Sequence, residues 1–255
     1  MCLVVFAWKV HPRFPLIFAG NRDELHTRPA RAAGFWADAS RVLGGRDLEA
    51  GGTWLGVTAS GRFAVVTNYR EGMNPHSGPR SRGQLTADFL RGDMPVSAYL
   101  QHVARQAQDY APFSLIVGDR ETLWYFSNRA AQVPMEITPG VHGLSNHLLD
   151  TPWPKVTRSK ARLAELLQRD AADEVTLLEL LADREPAPMD KLPDTGIGIE
   201  SERAISPVFV VNSLYGTRCS SVIFLGPEQI RFTERGFNSG GQALETRRFH
   251  LTGGA

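Results

Sequence analysis

Apolar residues fall in two rhythms along this chain. Cys2–Trp8 is an unbroken apolar, partly β-branched run closed by Lys9, and residues 16–19 form a second run ending at Gly20, with Pro12 and Arg13 between them. Short apolar runs bounded by such breakers predict strands, so the chain opens on a hairpin whose first residue is Cys2. Residues 34–52 mix glycine with charge and read as a long loop over the sheet. Residues 53–58 and Phe63–Asn68, joined at Ser60-Gly61, predict a second hairpin.

From Gly83 the period changes. Leu85, Phe89 and Leu90, then Val96, Leu100, Val103 and Ala107, recur at helical spacing, and Gly92 with Pro95 separates two helices. Strands return at residues 113–117 and Leu123–Ser127, and helices at residues 155–169 and 175–183. The acidic, proline-containing residues 184–203 read as an exposed loop, and strands at residues 208–212, 220–225, 229–233 and 244–250 close the chain. Strands at both ends with helices inserted between hairpins predict an α+β fold: a four-layer α/β/β/α sandwich of two mainly antiparallel sheets, each burying one face on the other sheet and one under helices. No low-complexity linker divides residues 1–255, which predicts a single domain.

Composition adds exclusions. With 42% hydrophobic and 22% charged residues the chain lies in the range of folded globular proteins, and a net charge of +1 supplies no field to gather nucleic acid. The opening apolar run is too short for a secretory signal core and no later run reaches a membrane span, so a cytoplasmic location is expected. The two cysteines, Cys2 and Cys219, leave room for one bridge at most. His142 and His147 are five apart with only Asp150 nearby, which does not make a metal site.

The chemistry then concentrates at the chain start. Methionine aminopeptidases remove Met1 when the next side chain is small, which leaves Cys2 carrying both a thiol and a free α-amine. The thiolate is a nucleophile, and an amine with a pKa near 8 can take its proton. Asn21, Arg22, Asp23 and Glu24 form a polar cluster directly after the second strand, and the hairpin folds that cluster back beside Cys2. Asp23 is placed to orient the α-ammonium, and Arg22 to lower the thiol pKa or bind a substrate carboxylate; a structural ion-pair knot is the plainer alternative. Asn68 and Asn146, at strand ends, are candidate oxyanion donors or simple turn formers. Arg218 offers a second cation.

These residues carry a resemblance. Met1-Cys2, Asn21 to Glu24, Gly44-Gly45-Arg46-Asp47, Gly51-Gly52-Thr53-Trp54-Leu55, Thr67-Asn68-Tyr69-Arg70 and Ser81-Arg82-Gly83 resemble the transport and Golgi organisation protein 2 family, also called the NRDE family. Gly143-Leu144-Ser145-Asn146, Asp150-Thr151-Pro152-Trp153-Pro154-Lys155, Tyr215-Gly216-Thr217-Arg218 and Phe232-Thr233-Glu234-Arg235 continue the match. That family is similar to the N-terminal-nucleophile cysteine hydrolases, which implies catalytic roles for Cys2, Asp23, Asn68 and Asn146; Asn21, Arg22, Glu24 and Arg218 are read from the polar cluster and the later strand as substrate-binding candidates. Those acylases place their arginine a few residues before the aspartate, whereas Arg22 adjoins Asp23. Two functions follow from the resemblance: an amidohydrolase of non-peptide acyl amides that requires no cofactor, or a haem or acyl-lipid binding and trafficking protein, with lipid homeostasis as its setting, using the same pocket. Oligomeric state is left open by the sequence.

Overall fold

The structure is a computed structural model that describes residues 2–72, 78–130 and 133–252. In chain order it runs β1 (Cys2–Trp8), β2 (Leu16–Leu25), β3 (Ala30–Trp36), β4 (Ala39–Asp47), β5 (Leu55–Thr58), β6 (Phe63–Asn68), α1 (Arg82–Arg91) and α2 (Val96–Arg105). It continues with β7 (Phe113–Gly118), β8 (Leu123–Ser127), β9 (Met135–Glu136), β10 (Gly140–Leu144), α3 (Pro154–Gln168), α4 (Glu174–Leu181), α5 (Ile199–Ala204), β11 (Tyr215–Leu225), β12 (Gln229–Phe237) and β13 (Ala243–Thr252).

The strands make two antiparallel sheets, ordered β10-β1-β2-β11-β12-β13 and β3-β4-β5-β6-β7-β8-β9. Strand alternation assigns the layers. Val4, Phe6 and Trp8 of β1 join Leu16 and Phe18 of β2 in a core shared with Phe63 and Val65 of the other sheet. Leu3, Val5 and Ala7 point the opposite way, into a second core with Leu163 of α3 and Leu177 of α4. A third core sets Ala64, Val66 and Leu115 against Phe89 of α1 and Leu100 of α2. The result is the expected four-layer α/β/β/α sandwich. β1 reads as continuously apolar because both of its faces are buried.

Four local expectations are corrected. Residues 34–52 are mostly the hairpin β3–β4: Gly44 serves close packing, since a Cβ there would lie 2.6 Å from the Leu55 carbonyl oxygen. Residues 21–24 do not follow β2 but lie inside it, laddered to β1 and β11. Residues 208–212 are no strand; Phe209 donates to the Asp183 carbonyl and Val210 exchanges bonds with Thr217. The loop at 184–203 contains most of α5, with Glu202 buried.

A disulfide between Cys2 and Cys219 is also ruled out. Both are free, and both stand opposite Arg22, one on each side of β2. Two interstrand spacings of about 4.8 Å exceed the Cα separation a disulfide spans.

Candidate active site

The site is built where β1 begins. In the β1–β10 register, Val4 faces Leu144, so continuing the ladder by two residues would bring Asn146 opposite Cys2. Asn146 instead turns to φ 54° and replaces the ladder with its side chain. Its Oδ1 accepts from the Cys2 backbone N–H at 3.3 Å, and its Nδ2 donates to the Asn68 carbonyl at 2.9 Å. Because the Cys2 group only donates and the Asn68 group only accepts, the amide orientation is fixed. Asn146 thereby positions the chain start against β6, with Oδ1 on the Cys2 N–H and one of its two Nδ2 protons on the Asn68 carbonyl. The Asn68 side chain, by contrast, is exposed on the cavity that Cys2 lines.

Alternation along β2 divides the polar cluster. Arg22 and Glu24 share the face of Phe18 and Gly20; Asn21 and Asp23 share the helix-side face of Ile17 and Ala19. Arg22 stands directly opposite Cys2, so the regular strand brings it beside the thiol rather than away from it. It forms a long ion pair with Glu24 at 3.5 Å.

Asn21 does not reach the cavity. It is fully buried, donating to the carbonyls of Leu181 at 2.8 Å and Val208 at 2.9 Å and accepting from the Ser220 hydroxyl at 2.6 Å. It clamps β2 to β11, to the end of α4 and to the segment before β11, which corrects its expected place among the substrate-binding residues.

Asp23 is also buried and accepts from the Thr217 hydroxyl at 2.7 Å. Burial holds its carboxyl above the ordinary range, with Lys155, Thr217 and Arg22 opposing. Burial likewise pushes the Cys2 thiol up, and the Asp23 charge adds to this; Arg22 and a backbone hydrogen bond from Asp23 pull it down.

The β2–β11 ladder shifts register between Thr217 and Cys219. Arg218 sits at that irregularity, and its Nη1 donates to the carbonyls of Leu25, His26 and Arg28 at 2.8, 3.3 and 3.2 Å. It belongs to a neighbouring cavity rather than to the one at Cys2.

Two residues of the site appear in the sequence only as parts of family motifs. Lys155, second residue of α3, is buried and donates to the carbonyls of Ile205 at 2.8 Å and Pro207 at 3.3 Å. Burial lowers its pKa to about 8, against the Asp23 charge. A lysine in the first turn of a helix opposes the helix dipole, and that is the sequence signal that marks it. Arg82 opens α1, donates to the Pro112 carbonyl at 3.0 Å and lines the Cys2 cavity. The approach is close: a Cβ on Gly52 would lie 2.4 Å from Gly83, and the Thr53 N–H donates to the Gly83 carbonyl.

The cavity has a volume of about 210 Å³ and is lined by Cys2, Arg22, Asp23, Asn68, Trp54 and Arg82 among others. That is below the roughly 300–1,000 Å³ of sites that enclose a drug-sized ligand, so it suits the reacting end of a molecule rather than the whole of it. Met1 lies outside the described residues. Among those residues, no three His, Cys, Asp or Glu side chains converge as a metal site, and no helix is long and apolar enough to cross a membrane.

On this two-sheet sandwich the buried thiol of residue 2 shares a cavity with a buried aspartate, and an asparagine holds its backbone nitrogen. The sequence profile of the Transport and Golgi organisation 2 family matches residues 1–239, and the chain belongs to that family. The mouse Transport and Golgi organization 2 homolog is 34% identical over 258 residues, covering 92% of each chain; the human homolog is 33% identical, with 92% of each covered. The Drosophila melanogaster protein is 27% identical, with 89% of each covered. Among solved structures, a Caenorhabditis elegans N-acylethanolamine-hydrolyzing acid amidase ortholog is similar at a TM-score of 0.47 and 12% identity, covering 88% of this chain and 92% of its own. The C2A mutant of the conjugated bile acid hydrolase from Clostridium perfringens is similar at 0.47 and 10%, covering 98% and 96%.

Proposed function

We propose that the chain is an N-terminal cysteine amidohydrolase acting on linear, non-peptide acyl amides. The observation that carries this reading is the treatment of residue 2: its backbone nitrogen is held by Asn146 while its side chain lines a cavity with Arg22 and Asn68. Removal of Met1 turns that backbone nitrogen into an amine, already placed beside the thiol it must deprotonate.

The steps follow. The Cys2 amine takes the thiol proton, and the thiolate, favoured by Arg22 and the Asp23 backbone N–H, attacks the amide carbon. Asn68 donates to the oxyanion. The ammonium returns its proton to the leaving nitrogen as the C–N bond breaks, giving an amine and a thioester. Water, deprotonated by the same amine, attacks the thioester and releases the carboxylic acid and the thiol. In this reading the charge of Asp23 stabilises the ammonium that forms twice in the cycle, and Lys155 balances the aspartate when the amine is neutral.

A haem or acyl-lipid carrier is the competing reading. Of the candidate iron ligands His142, His147 and His26, two do not favour the haem version: both ring nitrogens of His142 are taken by Asp150 and Thr138, and both of His147 by Tyr69 and Thr151, while His26 Nε2 bonds the Asn212 carbonyl. Nor does a carrier need a cation set against a chain-start thiol. The test is release of acid and amine from a panel of acyl amides by the processed protein and by Cys2→Ala. A Cys2→Ala protein as fast as the wild type overturns the reading.

A further inference from the structure

A second cavity, also about 210 Å³, adjoins the first, and Arg22, Asp47, Thr53 and Trp54 line both. Its charge is unbalanced. Arg22, Arg31, Arg46 and Arg218 face it, against the carboxyls of Asp47 and Glu234. Those acids are already employed: Asp47 holds Arg28 at 2.7 Å and accepts from the Glu49 and Ala50 amides, while buried Glu234 accepts from the Ala33 amide at 2.6 Å.

The arginines differ in what satisfies them. Arg46 is tied to Asp38 at 2.7 Å and to the Gly51 carbonyl. Arg218 is held through one nitrogen by three neutral carbonyls and has no carboxylate partner among the described residues. Arg31 forms no ion pair among the described residues, and among them the one ion pair of Arg22 is the long contact with Glu24. A β-bulge is a device that re-aims a side chain, and the one opposite residues 22–23 turns Arg218 to this cavity.

Guanidinium groups that converge on a cavity without acids to answer them select an anion, bidentately where it is planar. We propose that the second cavity is the anion-binding half of the ligand site: the molecule that reaches Cys2 carries a carboxylate or phosphate on the end remote from its amide, held by Arg31 and Arg218. The inference rests on the hydrolase reading for its amide, but not for its anion. Trp54, common to both cavities, lies along the connecting part of the ligand.

The test uses N-hexanoyl ω-amino acids of two to four carbons, each against its own carboxamide, and N-hexanoyl phosphoethanolamine. Hexanoate release and calorimetric binding are followed for the processed wild type, Arg31→Gln and Arg31→Glu; Arg31 is exposed, so both variants are expected to fold. The expected result is a kcat/KM at least about tenfold higher for one or more acids than for the matching carboxamide, a ratio that collapses in Arg31→Glu, with the amino acid and phosphate arms reporting which anion is preferred. Saturable, Arg31-dependent binding of the anions without hexanoate release would sink the hydrolase reading and leave the anion site standing. Equal turnover and equal binding of acid and carboxamide across the whole series overturn the inference.

Discussion

Asn146 accepts the backbone N–H of Cys2 at 3.3 Å while its own backbone sits at φ 54°, a conformation glycine and asparagine tolerate and alanine resists. Two substitutions separate the side chain from the backbone. Asn146→Gly keeps the conformation and deletes both hydrogen bonds, which is expected to cost about 1–3 kcal/mol and most of the amidase activity. Asn146→Ala deletes the same bonds and adds about 1–2 kcal/mol of strain. Urea unfolding of the two should rank Ala below Gly, and equal midpoints would remove the strain at residue 146; wild-type turnover in either would remove Asn146 from its positioning role.

Lys155 makes a pH prediction. Its pKa is lowered from 10.5 to about 8 by burial, among the charges of Asp23, Arg70, Cys2 and Glu202. Below about pH 8 the lysine is protonated folded and unfolded, and contributes no slope. Between 8 and 10.5 the unfolded chain binds a proton that the folded chain has lost, so this group makes stability rise with pH. Lys155→Met abolishes the rise. The unfolding free energy of wild type minus variant should therefore grow by on the order of 3 kcal/mol across that window, and a flat difference would place the ammonium in water.

Arg22 lowers the Cys2 thiol against the upward push of burial. Arg22→Gln should move the inflection of Cys2 alkylation to higher pH and slow iodoacetamide labelling at pH 8 several-fold, followed on the Cys2 peptide so that Cys219 does not contribute. An unchanged profile would mean that the guanidinium is turned away from the sulfur.

The layered architecture was legible in the sequence because both faces of β1 are covered and its run is apolar throughout, and because α1 and α2 carry a clear helical period. The site was legible in part. Cys2, Asp23 and Asn68 line one cavity, as the chain-start thiol and the polar cluster suggest. The role of Asn21 was not, because a buried amide saturated by Leu181, Val208 and Ser220 looks in sequence like any polar residue near a catalytic one. The β3–β4 hairpin was hidden by glycines that read as loop, although Gly44 serves close strand packing. Lys155 carries one signal, a cation in the first turn of a helix, but its partners, the carbonyls of Ile205 and Pro207, carry no sequence signature.

The segment before β11 is pinned to the site through Glu202, buried with Arg70 at 2.6 Å and bonded to Thr195. The backbone of Arg70 donates to the Asn146 carbonyl at 2.8 Å, so the pin also supports the asparagine. Glu202→Ala removes the buried carboxylate that bonds Arg70 and Thr195, and is expected to cost about 1–3 kcal/mol. Calorimetry should show a clear fall in Tm together with lower kcat; a variant as stable as the wild type would mean that the pair is solvated.

The claim that Cys2 is an N-terminal nucleophile meets its most direct test in peptide-mapping mass spectrometry of protein quenched in acid during turnover of an acyl amide. The account predicts an N-terminal peptide that begins at Cys2, with Met1 gone, and that carries the mass of the acyl group. Turnover accompanied by an N-terminal peptide that retains Met1, or that never carries the acyl group, would contradict it.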